Sequence, residues 1–250
     1  MGTAPTEIVP EKPLLSQPQR IVNTLFDPGK TFTDLKRGTA WWMAWLLIAA
    51  SAALFAYSVD KKVGFETAFD NAIQASPGAA ARIERIPEAD RARVMQGQVT
   101  GLKWRAYLAG LALLVISLIA AGLLMAIFNF GMGSSLSYKL TLSVVIYSNL
   151  PIVIKYLITS ITLFAGRSPE GFLFDNPLAS NLGYFVNQAA HPGIYTFGAF
   201  MDIFAIWSLF IRAIGFTKVA KVSLPGSLSA VFGLYLAFAL LFAGVAAAFS

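Results

Sequence analysis

The sequence predicts an all-α fold: a polytopic transmembrane helical bundle of about five spans, with an amphipathic N-terminal segment and a helical extramembrane loop. Three observations predict it. Five apolar stretches of 19 to 26 residues recur along a chain of 250. Hydrophobic residues make up 56% of the chain and charged residues only 13%. Mean hydropathy is +0.64, above the range of ordinary soluble domains. A hydrocarbon core roughly 30 Å thick takes about 20 helical residues to cross. Backbone polar groups in lipid must be satisfied within their own segment, so long continuous apolar runs imply helices and not open sheets.

Residues 1–17, polar and with four Pro from Pro5 to Pro18, read as a disordered tail. Residues 18–40 read as an amphipathic interfacial segment. Ile21, Val22, Leu25 and Phe26 recur at helical spacing, and Phe32 with Leu35 continues the stripe past Asp27, Pro28 and Gly29. Asp27 suits an N-cap and Pro28 the first helical position. Arg20, Lys30, Lys36 and Arg37 between these apolar residues suit an anionic headgroup layer, with Leu25 to Leu35 as the contact surface.

The membrane domain, 41–250, carries spans at about 41–59, 106–128, 140–165, 194–216 and 226–249. The first begins too late for a cleaved signal peptide and is read as a retained span. The second and fifth hold no charged residue, and the third and fourth hold one and two. The loop 60–105 carries eight Lys or Arg against six Asp or Glu. Within it Phe65, Phe69 and Ile73 form a helical stripe ended by Pro77 and Gly78, and a second helical stretch from about Pro87 runs towards the second span, so a small helical hairpin outside the membrane is expected.

Ionisable groups inside spans are functional candidates, because lipid makes them costly. Counting at 1.5 Å per residue, Lys155 lies roughly 22 Å from the start of span three and Asp202 roughly 12 Å from the start of span four. With the two spans antiparallel these depths fall within about one turn of each other, so the pair can form a buried ion pair that fixes register; equally, the Lys155 stem can reach a backbone carbonyl or the interface. Arg212, near the far end of span four, is expected to snorkel to the headgroups. Pro151, with Asn149 before it, is expected to open or kink span three.

Other chemistries are excluded. Gly29-Lys30-Thr31 resembles the end of a phosphate-binding loop, but the required first Gly falls at Thr24 and no strand precedes it. The chain has no Cys, and its single His, His191, stands in a polar connection. No G-x-S-x-G motif is present, and the spans supply one carboxylate, too few for an intramembrane protease. No enzyme activity, metal or cofactor is expected. The net charge of +6 is spread over segments flanking the spans, which suits a membrane surface and not nucleic acid.

Several segments together resemble the Yip family of five-span membrane proteins, in its prokaryotic branch. They are Ile21-Val22-Asn23-Thr24-Leu25-Phe26-Asp27-Pro28-Gly29-Lys30-Thr31-Phe32; Tyr147-Ser148 followed by Pro151; Asn176-Pro177; and Asp202-Ile203-Phe204-Ala205-Ile206-Trp207 with Gly215 and Lys218 to Lys221 after it. The resemblance runs from about residue 20 to the end. It implies five helices, a cytosolic N-terminus and no known catalytic chemistry, and in eukaryotic members roles in membrane traffic, membrane shaping and binding of prenylated GTPases. This chain lacks an Asp-Leu-Tyr-Gly-Pro-type segment before span one and adds the large hydrophilic loop, which points to a prokaryotic envelope protein.

The resulting expectation is a multi-pass protein of the plasma membrane with a cytoplasmic N-terminus, acting as a non-catalytic scaffold or membrane-organising partner. Its expected partners are the bilayer and a protein at the N-terminal segment. Lys155, Asp202 and Trp207 are expected to carry the bundle architecture, with Pro151, Tyr147 and Arg212 as further candidates. The rival reading is a small transporter or channel component using Lys155 and Asp202, with Pro151 at its site.

Overall fold

The computed structural model describes residues 14–248. Most of the tail at 1–17, and the last residue of the fifth expected span, lie outside the described residues. In chain order the helices are α1 (Gln17–Phe26), α2 (Pro28–Leu35), α3 (Trp42–Lys62), α4 (Phe65–Gln74), α5 (Pro77–Glu84), α6 (Glu88–Tyr107), α7 (Ala109–Ala126), α8 (Tyr138–Ser148), α9 (Pro151–Phe164), α10 (Pro192–Phe200), α11 (Ile203–Ala220) and α12 (Leu224–Ala248). A π-turn, Ile127–Gly131, extends α7, and a short 3-10 turn, Leu182–Phe185, precedes α10. Five segments are long and apolar enough to cross a membrane: Trp42–Lys62, Ala109–Gly131, Tyr138–Phe164, Ile203–Ala220 and Leu224–Ala248.

Helix α3 packs on α9 and α7, α7 packs on α8, and α11 packs on both halves of the third span and on α12. One end of the bundle gathers the start of α3, the link between α7 and α8, and the link between α11 and α12. The Ser134 hydroxyl donates to the Ala220 carbonyl there (3.2 Å), and Ser143 donates to Thr39 (2.9 Å). Helices α1 and α2 cover this end. The opposite end carries α4 to α6, held to α3 by Lys103 at 3.1 Å from Asp60 and by the Tyr107 hydroxyl donating to Asp60 (3.0 Å). The core divides accordingly. A large cluster around Phe32, Phe128, Tyr147 and Phe216 fills the α2 end, and a smaller one around Phe55, Phe65, Leu163 and Phe172 fills the other.

Two expectations need correction here. The apolar stripe of the N-terminal segment is not all offered to headgroups: Phe32 and Leu35 are fully buried in the main core. An added methyl on Gly215 would stand 2.8 Å from Val144 Cγ1 and 3.1 Å from the Phe32 ring, so this glycine lets α8 and α2 lie close to α11. Burial in a protein groove rewards the same stripe that a lipid surface would reward, and the bundle supplies the groove. The neighbouring stripe on α1 still faces outwards, with Val22 55% and Phe26 83% exposed. Secondly, the fourth span is not one helix from 194. It breaks at Met201–Asp202 into α10 and α11.

Candidate functional site

Both interrupted spans owe their breaks to local chemistry. In span three, Pro151 supplies no N–H and occupies the first turn of α9, so α8 stops at Ser148 and the chain turns through Asn149 and Leu150. In span four, Asp202 holds extended backbone at φ −90°, ψ 134° and caps α11: its Oδ1 accepts the N–H groups of Phe204 (2.9 Å) and Ala205 (3.3 Å). These are orphan donors of a helix start, and the helix dipole favours a carboxylate at that point.

Lys155, one turn into α9, points at this cap. Its Nζ lies 2.9 Å from Asp202 Oδ2, and the two side chains are only 19% and 6% exposed. The Ser180 hydroxyl donates to the same oxygen, and the Ser180 carbonyl accepts the Ile203 N–H at 2.9 Å. The connection 166–191 is thereby folded back against the break. A buried Asn176–Asn181 side-chain pair holds that connection, with Asn181 Nδ2 donating to Asn176 Oδ1 at 2.6 Å. Gly183 and Gly198 let it approach α10, since a methyl on Gly198 would meet the Gly183 nitrogen at 2.5 Å.

Arg212 does the reciprocal task. It lies about 12 Å of helix short of the end of α11, too deep for an easy reach to headgroups, and it turns into the bundle. Its Nε donates to Ser148 Oγ (3.0 Å) and its Nη2 to Asn149 Oδ1 (2.6 Å). Asn149 Nδ2 in turn donates to Ser117 Oγ on α7 (3.2 Å). The expected snorkelling is therefore replaced by a cation at the C-terminal end of α8, where the dipole favours positive charge. Each broken span thus receives its neighbour's cation at its own discontinuity.

The remaining candidates differ in their surroundings. Pro151 is buried at the start of α9. Trp207, partly buried, packs against the main core. Tyr147 is fully buried; its hydroxyl donates to Gln17 Oε1 at 2.6 Å and lies 3.2 Å from the Ala40 carbonyl, tying the third span to the N-terminal segment. Ser148 and Ser180 were not foreseen as partners. Asp202 directly before an apolar helical run was a readable cap signal, whereas Ser180 lies in a stretch without periodicity.

Among the described residues no three or more His, Cys, Asp or Glu cluster as metal ligands would. Among the described residues, clefts of about 430 and 440 Å³ form, and neither is lined by Lys155, Asp202 or Arg212. The polar groups at the breaks bond to one another, an arrangement able to fix helix register inside an apolar bundle. The family model of the Yip1 domain matches residues 22–247, nearly the whole chain. No curated protein and no solved structure gives a significant match.

Proposed function

The chain belongs to the Yip1 domain family of membrane proteins, and from that premise we propose that it is a non-catalytic scaffold that organises the membrane in which it is embedded. In this reading the N-terminus is cytoplasmic, the membrane is a prokaryotic plasma membrane, and a protein partner docks at the N-terminal segment. One observation carries the proposal: the partly buried cations of spans three and four are consumed in bracing the helix breaks, by Asp202 and by Ser148 with Asn149. A braced bundle presents a fixed outer surface, and its charges serve architecture. The orientation follows the family resemblance and not a count of basic residues, since the α1–α2 end carries seven Lys or Arg within the described residues and the opposite end nine.

A transport role is the second reading, favoured by one specific feature: two discontinuous spans in contact, with charged groups at both breaks, is an arrangement common to substrate sites of transporters. Proteoliposome flux separates the two. The scaffold reading expects no solute-dependent flux and recovery of a defined partner when the full chain is captured from native membranes. Flux that disappears with Lys155→Met would replace it with the transport reading.

A further inference from the structure

The cleft of about 440 Å³ at the N-terminal end is lined by Gly29, Lys30 and Thr33 of α2, by Arg37 just after it, by Lys218 from the last turn of α11, and by Asp27 and Asp34. Its parts come from opposite ends of the sequence and are held together by the Phe32 seat described above. Lys218 closes over the start of α2: a methyl on Gly29 would stand 3.2 Å from Lys218 Cε. Asp34 is already neutralised. Its Oδ2 lies 2.7 and 2.8 Å from two nitrogens of the buried Arg20, and its carboxylate accepts the Leu15 N–H at 3.2 Å. With that pair set aside, Lys30 and Lys218 face one exposed carboxylate, Asp27, so these side chains leave the concave surface a net positive charge.

Depth decides what such a cleft meets. Lys218 ends a membrane-length helix, and Trp41 and Trp42 start another at the same end of the bundle, with Trp42 half exposed. Tryptophan at a span end marks the headgroup level. Phe26, the more exposed of the two exposed large apolar residues of α1, stands immediately before Asp27 on the rim. Cations in a concavity with bare apolar side chains beside it match a ligand that has a phosphate and acyl chains.

We propose that this cleft is a binding site for the phosphodiester headgroup of an anionic glycerophospholipid, with Lys30 and Lys218 contacting the phosphate. The site adds to the scaffold reading without resting on it, since a transporter of the same structure would hold the same lipid.

The full-length chain in detergent, titrated with phosphatidylglycerol, phosphatidylcholine or inorganic phosphate, tests this, with retained lipid read by native mass spectrometry. Phosphatidylglycerol is expected to bind in preference to phosphatidylcholine. The preference should fall about fivefold for Lys30→Gln or Lys218→Gln and further for both together. Lys139→Gln with Lys221→Gln, on the same face outside the cleft, should leave it unchanged. Competition by inorganic phosphate is expected and would identify the phosphate as the recognised group. Equal retention of the two lipids, or an unchanged preference in the Lys30/Lys218 double variant, overturns the site. Phosphate binding without lipid preference overturns the lipid as its ligand. Both lysines are exposed, so folding is not at stake, and an unchanged thermal midpoint verifies it.

Discussion

Lys155 and Arg212 are both cations inside the span region, and both reach across the contact between the third and fourth spans, yet they are stabilised by opposite means. Lys155 meets a full negative charge, the Asp202 carboxylate, which itself caps a helix start. Arg212 meets neutral oxygens, Ser148 Oγ and Asn149 Oδ1, at a helix end. A compact ammonium is strongly hydrated and is costly to bury without a counter-charge, whereas a guanidinium is more weakly hydrated and spreads its donors over a fork that dipoles can satisfy. The lesson is that the residue type follows the kind of break: a helix start collects a carboxylate and then needs a cation, and a helix end offers carbonyl-like dipoles to a cation directly.

The largest test strikes the charged member. Asp202→Leu removes the cap of α11, the Ser180 acceptor and the partner of Lys155 together, and is expected to cost about 3–5 kcal/mol, measured as the unfolding midpoint in mixed micelles. Lys155→Met should cost less, about 1–2 kcal/mol, because the carboxylate keeps three other donors. The double variant should be less damaging than the sum of the two; strict additivity would mean that the pair is not coupled. Arg212→Met is expected to cost about as much as Lys155→Met, about 1–2 kcal/mol, since it leaves two acceptors unmet and no bare charge behind. A loss as large as that of Asp202→Leu would erase the distinction between the two regions.

The sequence could place Lys155 and Asp202 at matching depth because helix rise is constant, and Pro151 could be read as an interruption because its missing N–H is independent of context. The spans were legible for the same reason: crossing lipid is a one-dimensional requirement. Partner choice was not. Arg212 was assigned to the headgroups from its position alone, while its true acceptors lie 63 and 64 residues away. Phe32 and Leu35 announced an apolar face but not what would cover it, as a groove and a lipid surface select the same spacing. Ser180 and the Asn176–Asn181 pair owe their positions to a connection without periodicity, where sequence carries no register.

Smaller effects should come from the supports of each region. Gly198→Ala forces a methyl onto the Gly183 backbone, and is expected to push the 3-10 turn off α10 at about 1–3 kcal/mol. Because the chain has no cysteine, a single Ser180→Cys probe reads this directly: thiol labelling should be slow in the parent and fast once Gly198 is substituted. Unchanged labelling would separate the Asp202 cap from its supporting connection.

The smallest effect concerns a cation that needs no partner at all. Lys221 ends α11 in the left-handed region at φ 57°, where a side chain costs about 1 kcal/mol that glycine avoids. Its side chain is exposed, so Lys221→Gly gives up no buried contact and should raise the unfolding midpoint slightly, by up to about 1 kcal/mol. The three cations would then rank by surroundings and not by charge: loss at the two helix breaks, slight gain at the surface. A destabilised Lys221→Gly would instead place a partner at this corner, and the contrast between paired and dipole-held cations would have to extend to the membrane surface.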